Sequence, residues 1–166
     1  ALMNANERVL KHGITYKFKT APVDPYDIFR GRYVAIRNEQ SMAPLTAEEN
    51  KKLGQKKRIG YAVIAVDQDG YAYVERLVAE KPQTENYFKT TIGYSYSMTA
   101  DGTRYFKFPI DRYYMNERKA PQAEDVYREY STREKRDAYM LVRVLDGEMV
   151  IERLMIGSAP IEDYLK

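Results

Sequence analysis

The chain contains no cysteine and a single histidine, His12, and these shortages exclude several kinds of chemistry. Without cysteine there can be no disulfide, no thiolate metal site and no cysteine nucleophile. Zinc sites of the usual His/Cys kind are excluded as well. A Ser/His/acid triad has little support, because His12 lies where the sequence has least pattern and a lone surface histidine is the ordinary interpretation. The glycines stand singly, with no G-x-G-x-x-G or G-K-[ST] loop. The sequence therefore implies neither a cofactor nor a metal ion.

A long apolar run is also missing. The mean hydropathy is −0.64 and 31% of residues are charged, and no stretch approaches the roughly 18 apolar residues of a membrane-spanning helix. The first thirty residues show no signal-peptide pattern. The chain begins at Ala1, as expected either after loss of an initiator methionine or where an N-terminal segment has been removed. Absence of cysteine fits the cytosol and the cell envelope equally.

Net charge is low, at +3, which is too little to predict nucleic-acid binding. It is unevenly spread, because residues 1–60 carry 12 Lys and Arg against 6 Asp and Glu, whereas the remainder is net negative. The ordinary interpretation is a solvated face with a lysine-rich loop, and the alternative is a surface facing an anionic partner such as lipid headgroups. The densest basic run, Lys51 to Arg58, has no aromatic residue near it between Asn38 and Gly60. Since bases stack on aromatics, no nucleic-acid partner is predicted.

What the sequence has in abundance is strand pattern, together with 16 tyrosines. Tyrosine favours half-buried sheet surfaces, and a ligand-stacking surface is the alternative explanation. Alternation predicts a strand from Ile14 to Lys19, and a second follows from Tyr33 to Arg37. Three turns containing Asp-Gly then separate β-rich pairs, of which Asp146-Gly147 is the two-residue type I′ signal. The predicted pairs are Tyr61–Val66 with Tyr71–Val78, Phe88–Met98 with Arg104–Phe108, and Ala138–Leu145 with Glu148–Ile156.

Two short helices are predicted. Thr46 and Glu49 have the spacing of a reciprocal capping box, which begins a helix that ends near Leu53 and is closed by Gly54. This helix lies in a polar insertion over residues 38–57. The second opens at Ala120-Pro121 and directs three side chains at the sheet: Val126, Tyr127 and Tyr130.

The predicted fold class is mainly β, with residues 1–166 forming one domain. We expect a twisted antiparallel sheet that forms a partial barrel or sandwich, with one or two short helices; an α+β fold is the alternative. Residues 1–12 are expected to be irregular, with at most a frayed helical turn from Glu7 to His12.

One segment has the look of a functional signature. Asp24 and Asp27 precede Arg30 and Arg32 just before the second strand, and a similar polar-aromatic cluster runs from Asp111 to Glu117. The acids are interpreted first as turn residues that the arginines keep ionised. The alternatives are a ligand or ion site, and a carboxylate pair for glycosidic hydrolysis that joins Asp24 or Asp27 to Asp111 or Glu117. No catalytic or metal-ligating role is assigned. The predicted binding residues are Asp24, Asp27, Arg30, Arg32, Tyr33, Arg112, Tyr114 and Glu117.

These segments resemble the GDYXXLXY family, bacterial proteins named for a strand motif. There the motif follows an Asp-Pro-Arg-Asp-like turn, which is similar to residues 24–27, and Gly31, Tyr33 and Ile36 fall on the Gly, Tyr and Leu positions. Arg32 stands where the family has Asp, which reverses a charge at the centre of the motif. Residues 112–117 resemble an Arg-aromatic-aromatic stretch that ends in Pro-Glu, and the hairpin at residues 146–147 resembles the family's last segment.

The resemblance implies a location. Members of the family look like proteins with an N-terminal membrane anchor and a soluble domain outside the cytoplasm, in the periplasm. The chain would be that soluble domain, anchored by a segment not in this chain, with a membrane protein or an envelope polymer as partner. We therefore expect a non-enzymatic binding or assembly module, in which Arg30 and Arg112 share one cleft and meet phosphate, carboxylate or sugar groups. The rival hypotheses are a hydrolase of envelope glycans and a purely structural corner.

Overall fold

The computed structural model describes residues 2–21, 33–95, 102–114, 120–130 and 138–164. The helices of these residues are α1 (Ala5–His12), α2 (Ala47–Leu53), α3 (Ala120–Tyr130) and a final 3₁₀ turn (Ile161–Tyr164). The strands are β1 (Ile14–Lys19), β2 (Tyr33–Ala35), β3 (Met42–Leu45), β4 (Arg58–Val66), β5 (Ala72–Val78), β6 (Tyr87–Ile92), β7 (Gly102–Tyr105), β8 (Arg112–Tyr114), β9 (Ala138–Leu145), β10 (Glu148–Ile156) and β11 (Ala159–Pro160).

The strands form four antiparallel sheets. One has the order β1-β9-β10-β11 and another β5-β4-β6, while β2 pairs with β8 and β3 with β7. The prediction of a mainly β, antiparallel fold is confirmed. Among the described residues the sheets do not close into a barrel, and there are three α-helices where one or two were expected.

The two large sheets share one apolar core. Phe18 of β1 meets Phe108 edge-on at 5.0 Å between ring centroids, and Phe108 in turn meets Phe88 of β6 at 5.7 Å. Phe18 and Phe88 are buried, as are Met140 of β9 and Ile64 of β4. Such edge-to-face contacts add to the burial of apolar area that holds sheets together.

Two of the predicted hairpins are confirmed. Asp146 and Gly147 have φ values of 50° and 82°, as a type I′ turn between β9 and β10 requires. Between β4 and β5 the Asp67 carboxylate accepts hydrogen bonds from the N–H groups of Asp69 and Tyr71, at 2.9 and 3.0 Å, and Gly70 has a φ of 88°. In both turns a positive φ falls on the glycine, where it carries little steric cost.

The third predicted hairpin is confirmed at a single bridge, and most of its predicted turn lies outside the described residues. β7 does not pair along β6 but along β3, and β6 meets the end of β7 only through a bridge between Ile92 and Phe106. β3 lies inside the predicted polar insertion and has only four residues, with Pro44 in the middle. Its alternation of buried Ala43 and Leu45 with exposed neighbours is too short to stand out, and proline is confined to edge strands of this kind.

The N-terminal segment also differs from the expectation. Residues predicted to be irregular form helix α1, which Asn4 and Glu7 cap reciprocally: the Asn4 side chain accepts from the Glu7 N–H at 2.8 Å, and Glu7 accepts from the Asn4 N–H at 3.3 Å. Val9 is its only buried residue, so the helix lacks the periodic apolar stripe by which sequence patterns identify one.

The two predicted helices are present, with one difference. Thr46 caps α2 by accepting from the Glu49 N–H at 3.1 Å, and Gly54 closes it with a φ of 76°. The reciprocal half of the capping box is not made, because the Glu49 carboxylate instead accepts from the N–H of Ala79, just beyond β5, at 2.7 Å.

In α3, Tyr127 is buried and its hydroxyl donates to the Ala21 carbonyl at 3.1 Å. The side chain of Tyr130 lies outside the described residues. No helix of the described residues is long and apolar enough to cross a membrane.

Candidate functional site

The predicted binding residues divide into two groups. Tyr33, Arg112 and Tyr114 are described, and the structure brings them together, because β2 pairs with β8 so that Tyr33 lies opposite Tyr114. The remaining predicted residues, and with them the expected meeting of the Arg30 and Arg112 side chains, lie outside the described residues: Asp24, Asp27, Arg30, Arg32 and Glu117. Of the proposed carboxylate pair, Asp111 alone is described.

Tyr33, Asp111, Arg112 and Tyr114 form what we call the signature cluster, on the outer face of the β2–β8 ribbon. The Arg112 guanidinium lies over the Tyr33 ring, 4.5 Å from its centroid, and the Tyr33 and Tyr114 rings meet edge-on at 5.7 Å. The Arg112 Nε donates to the Asp111 carboxylate at 3.0 Å. Hydrogen bonds to Tyr114 and Asp111 raise the pKa of Arg112. The cation of this cluster is thus already engaged by its own neighbours.

The inner face of the same ribbon is structural. Tyr113 alternates with Arg112 and Tyr114, is buried, and donates its hydroxyl proton to the Glu162 carboxylate. Burial, followed by the contact with Glu162, raises the pKa of Tyr113. The other Glu162 carboxylate oxygen is buried without a hydrogen-bond partner in the described part of the chain. The Arg-Tyr-Tyr motif therefore combines one core anchor with two surface residues.

A second surface, which we call the lysine–tyrosine groove, is defined by Lys57, Lys89, Tyr94, Tyr105 and Lys107. It consists of two adjoining cavities of about 390 and 290 Å³ that share Lys107 and the backbone of β6 near Thr91. Lys57 and both tyrosines line the first cavity, and Lys89 lines the second. The three lysines are distributed along the groove and do not converge on one point.

Backbone hydrogen bonds join β6 to residues 105–107 and to the β9–β10 turn. Beside the groove, the Gly93 N–H donates to the Tyr105 carbonyl at 2.8 Å, and the Lys107 N–H donates to the Thr91 carbonyl at 3.0 Å. Farther along β6, the Lys89 N–H donates to the Gly147 carbonyl of the β9–β10 turn at 2.9 Å. The outer edge of β6 is thus covered in short pieces, which fixes the spacing of the residues that project from it.

Arg104, which is only 3% exposed, ties the groove to the rest of the fold. Its guanidinium donates to three backbone carbonyl oxygens: those of Gly93 and Gly54, each at 2.9 Å, and that of Lys56 at 3.3 Å. It also donates to the side-chain oxygen of Asn50 at 3.2 Å. Burial, followed by the charge of Arg58, lowers its pKa. All these acceptors are uncharged, and several belong to the C-terminal end of α2, where a cation is favoured. Arg104 therefore fixes the backbone beside Lys57 and Tyr94.

The groove differs from the signature cluster in its electrostatics. Among the described residues no carboxylate lies within ion-pair distance of Lys57, Lys89 or Lys107, although Glu148 lines the second cavity. Tyr94 and Tyr105 are 62% and 58% exposed. Unpaired ammonium groups beside exposed aromatic faces suit a ligand that carries both negative charges and flat apolar surfaces.

Sequence reasoning missed this groove because it searched for aromatic residues only near the lysines in sequence. Lys57 lies in a run without aromatics, and the fold supplies Tyr94 from the end of β6 and Tyr105 from β7. The available signal was weak: both tyrosines flank a predicted turn, where side chains are commonly exposed. The described residues contain no cluster of His, Asp and Glu able to hold a metal ion.

Comparison with known proteins identifies the family of the chain. A sequence model of the family described as GDYXXLXY protein matches residues 1–154, which confirms the resemblance drawn from the motifs. No curated protein matches the chain, and no solved structure does.

Proposed function

Because the chain belongs to the family of GDYXXLXY proteins, we propose that it is the extracytoplasmic, membrane-anchored binding module that the family resemblance suggests. Its function in this proposal is to hold an anionic polymer of the cell envelope, without catalysing a reaction. The observation that supports it is the lysine–tyrosine groove, in which three ammonium groups lack carboxylate partners in the described part of the chain and two tyrosines are more than half exposed.

The distribution of the lysines favours a polymer over a single small anion. Lys57 and Lys89 line different cavities of the groove and Lys107 lines both, so a ligand must extend along the groove to meet all three. Lysine acts as a compact point charge, which suits scattered carboxylates or phosphates of a polysaccharide. The tyrosine rings offer apolar faces to the sugar rings between those charges.

Nucleic acid is the less favoured polyanion. The net charge of +3 is far below the strongly basic balance of most nucleic-acid-binding domains, and the proposed location is outside the cytoplasm. A membrane partner protein, the other expected partner, is compatible with the signature cluster, but Arg112 would have to exchange its contacts with Tyr33 and Asp111 for those of the ligand.

Binding of polygalacturonate, a carboxylated polysaccharide, tests the proposal when measured by calorimetry beside an uncharged glucan and a single-stranded oligonucleotide. We expect saturable binding of polygalacturonate that weakens as salt increases between about 50 and 200 mM, with little binding of the glucan. Lys107→Met should weaken the affinity about two- to fivefold, the usual value of an exposed ion pair. Lys11→Met, which makes the same charge change on α1, is the control and should leave it unchanged. The proposal would be contradicted if the oligonucleotide bound more tightly than polygalacturonate, or if the glucan bound as well as polygalacturonate.

A further inference from the structure

A separate cavity of about 530 Å³ lies among the end of α1, the start of β1, the β9–β10 turn and the loop between β5 and β6. Its volume falls within the range of about 300–1,000 Å³ that is typical of small-molecule sites. None of its lining residues belongs to the lysine–tyrosine groove or to the signature cluster.

Close backbone packing fixes one wall of this cavity. The Gly13 N–H donates to the Val9 carbonyl at 2.8 Å, and the Arg143 guanidinium donates to the Gly13 carbonyl at 3.0 Å. A Cβ atom at position 13 would lie 2.6 Å from the Val9 carbonyl oxygen and 3.0 Å from the Val144 nitrogen. Helix α1 therefore sits directly against β9, and this wall cannot close inward by repacking side chains.

The β9–β10 turn is closely packed as well. Gly147, at the tip of this turn, lies against the Tyr87 ring so closely that a Cβ atom would approach it to 2.9 Å. The Gly147 carbonyl also accepts the Lys89 N–H at 2.9 Å. The β9–β10 hairpin, which carries Val144, and the start of β6, which carries Tyr87, are thus held against each other beside the cavity.

The charges that line the cavity are unevenly satisfied. Asp146 pairs with Arg8 at 3.2 Å. Lys81 and Glu85, both on the loop before β6, are exposed and have no ion-pair partner in the ranges that the structure describes. The cavity therefore presents one available cation and one available anion, beside an apolar wall that includes Ile14 and Val144.

We propose that this cavity binds a small zwitterion of the amino-acid or short-peptide class. The ligand carboxylate meets the Lys81 ammonium, the ligand ammonium meets the Glu85 carboxylate, and an apolar side chain packs on Ile14 and Tyr87. A purely anionic ligand could pair with Lys81 but would leave the Glu85 carboxylate without a partner, and an uncharged ligand would pair with neither charge. The zwitterion is the class whose two charges match those that the cavity leaves unpaired.

The test uses the dipeptide Leu-Ala, its N-acetylated form and its C-amidated form, each titrated against the protein while amide resonances are followed by NMR. We expect Leu-Ala to shift the resonances of residues 81–87 and of His12 saturably, with a dissociation constant of about 1 mM or tighter. Each blocked form should bind about two- to fivefold more weakly, because it leaves one exposed protein charge without its partner.

Two variants assign the charges. In Lys81→Met, free and C-amidated peptides should bind equally, and in Glu85→Gln, free and N-acetylated peptides should, since each substitution removes one side of a pair. Lys11→Met should preserve both ratios. The proposal is overturned if no saturable shift appears at these residues up to about 20 mM peptide, or if the three peptide forms bind alike.

Discussion

Both the signature cluster and the lysine–tyrosine groove place tyrosines beside cations, and the two surfaces differ in whether the cation is already paired within the described residues. In the signature cluster, Arg112 is stacked on Tyr33 and hydrogen-bonded to Asp111. In the lysine–tyrosine groove, Lys57 and Lys107 have no carboxylate partner among the described residues. A paired cation must give up its contacts before it can bind a ligand, whereas an unpaired one loses only water. A signature-like sequence can therefore form a set of contacts within the protein, while lysines from separate segments are left without carboxylate partners on another surface of the described residues.

The largest expected effect concerns the support beneath the groove. Arg104→Met should lower the free energy of unfolding by about 2–4 kcal/mol, because the carbonyl oxygens of Gly93 and Gly54 lose the buried guanidinium that donates to them. Denaturant unfolding measures this directly. Arg112→Met is the matched control on the surface. A loss for Arg104→Met no greater than that for Arg112→Met would contradict the structural role given to the buried arginine.

The next effect concerns the inner face of the signature cluster. Tyr113→Phe should cost about 1–3 kcal/mol, because the buried Glu162 carboxylate loses its donor. The folded-state pKa of Tyr113 is raised above its unfolded value of 10.0. Its contribution to stability is therefore complete below about pH 10 and is lost as the pH rises above it. Unfolding measured from pH 8 to 11 should show a shallower alkaline decline in the variant; an unchanged slope would contradict the prediction. Tyr16, whose pKa is also raised by burial, contributes to the decline that remains in the variant.

A smaller effect is expected for the groove itself. Replacing Lys57 and Lys107 together by Met should weaken polygalacturonate binding by roughly four- to twenty-five-fold, as two independent exposed pairs would. Both side chains are exposed, so the melting temperature should stay near that of the unchanged protein. A fall in stability that accompanies the loss of binding would point to a folding defect and not to lost contacts.

The smallest effect is expected for the outer face of the signature cluster. Arg112→Met should lower the free energy of unfolding by less than the value expected for Tyr113→Phe, because its ion pair with Asp111 is exposed to water and salt. Thermal unfolding in low and high salt checks this, since a screened pair contributes less in high salt. A loss well above that value would mean that the stack on Tyr33 carries much of the ribbon's stability.

Part of this structure could be predicted from the sequence. Local devices were predictable: the Asp146-Gly147 turn, the Thr46 cap and the alternation of β1 each depend on a few adjacent residues. The contact between Tyr33 and Tyr114 was not itself predicted, although both residues were named as binding residues from the two signature-like segments.

Features that depend on distant segments were beyond reach. β3 is identified only by its pairing with β7. The Glu49 carboxylate accepts from the Ala79 N–H instead of completing the cap of its own helix. The groove needed Arg104 to bring residues from α2, β6 and β7 together. Hydrophobic periodicity along the sequence does not predict such contacts, because most of the residues that make them are separated by tens of positions.

The most direct test of the binding claim is a paired measurement of polygalacturonate affinity across salt concentration for Lys57→Met/Lys107→Met and for Arg112→Met. If the groove is the binding surface, the double lysine variant binds more weakly and shows a flatter dependence of affinity on salt, while Arg112→Met follows the unchanged protein. The opposite pattern, in which Arg112→Met loses affinity and the lysine variant keeps it, would move the site to the signature cluster and contradict the account.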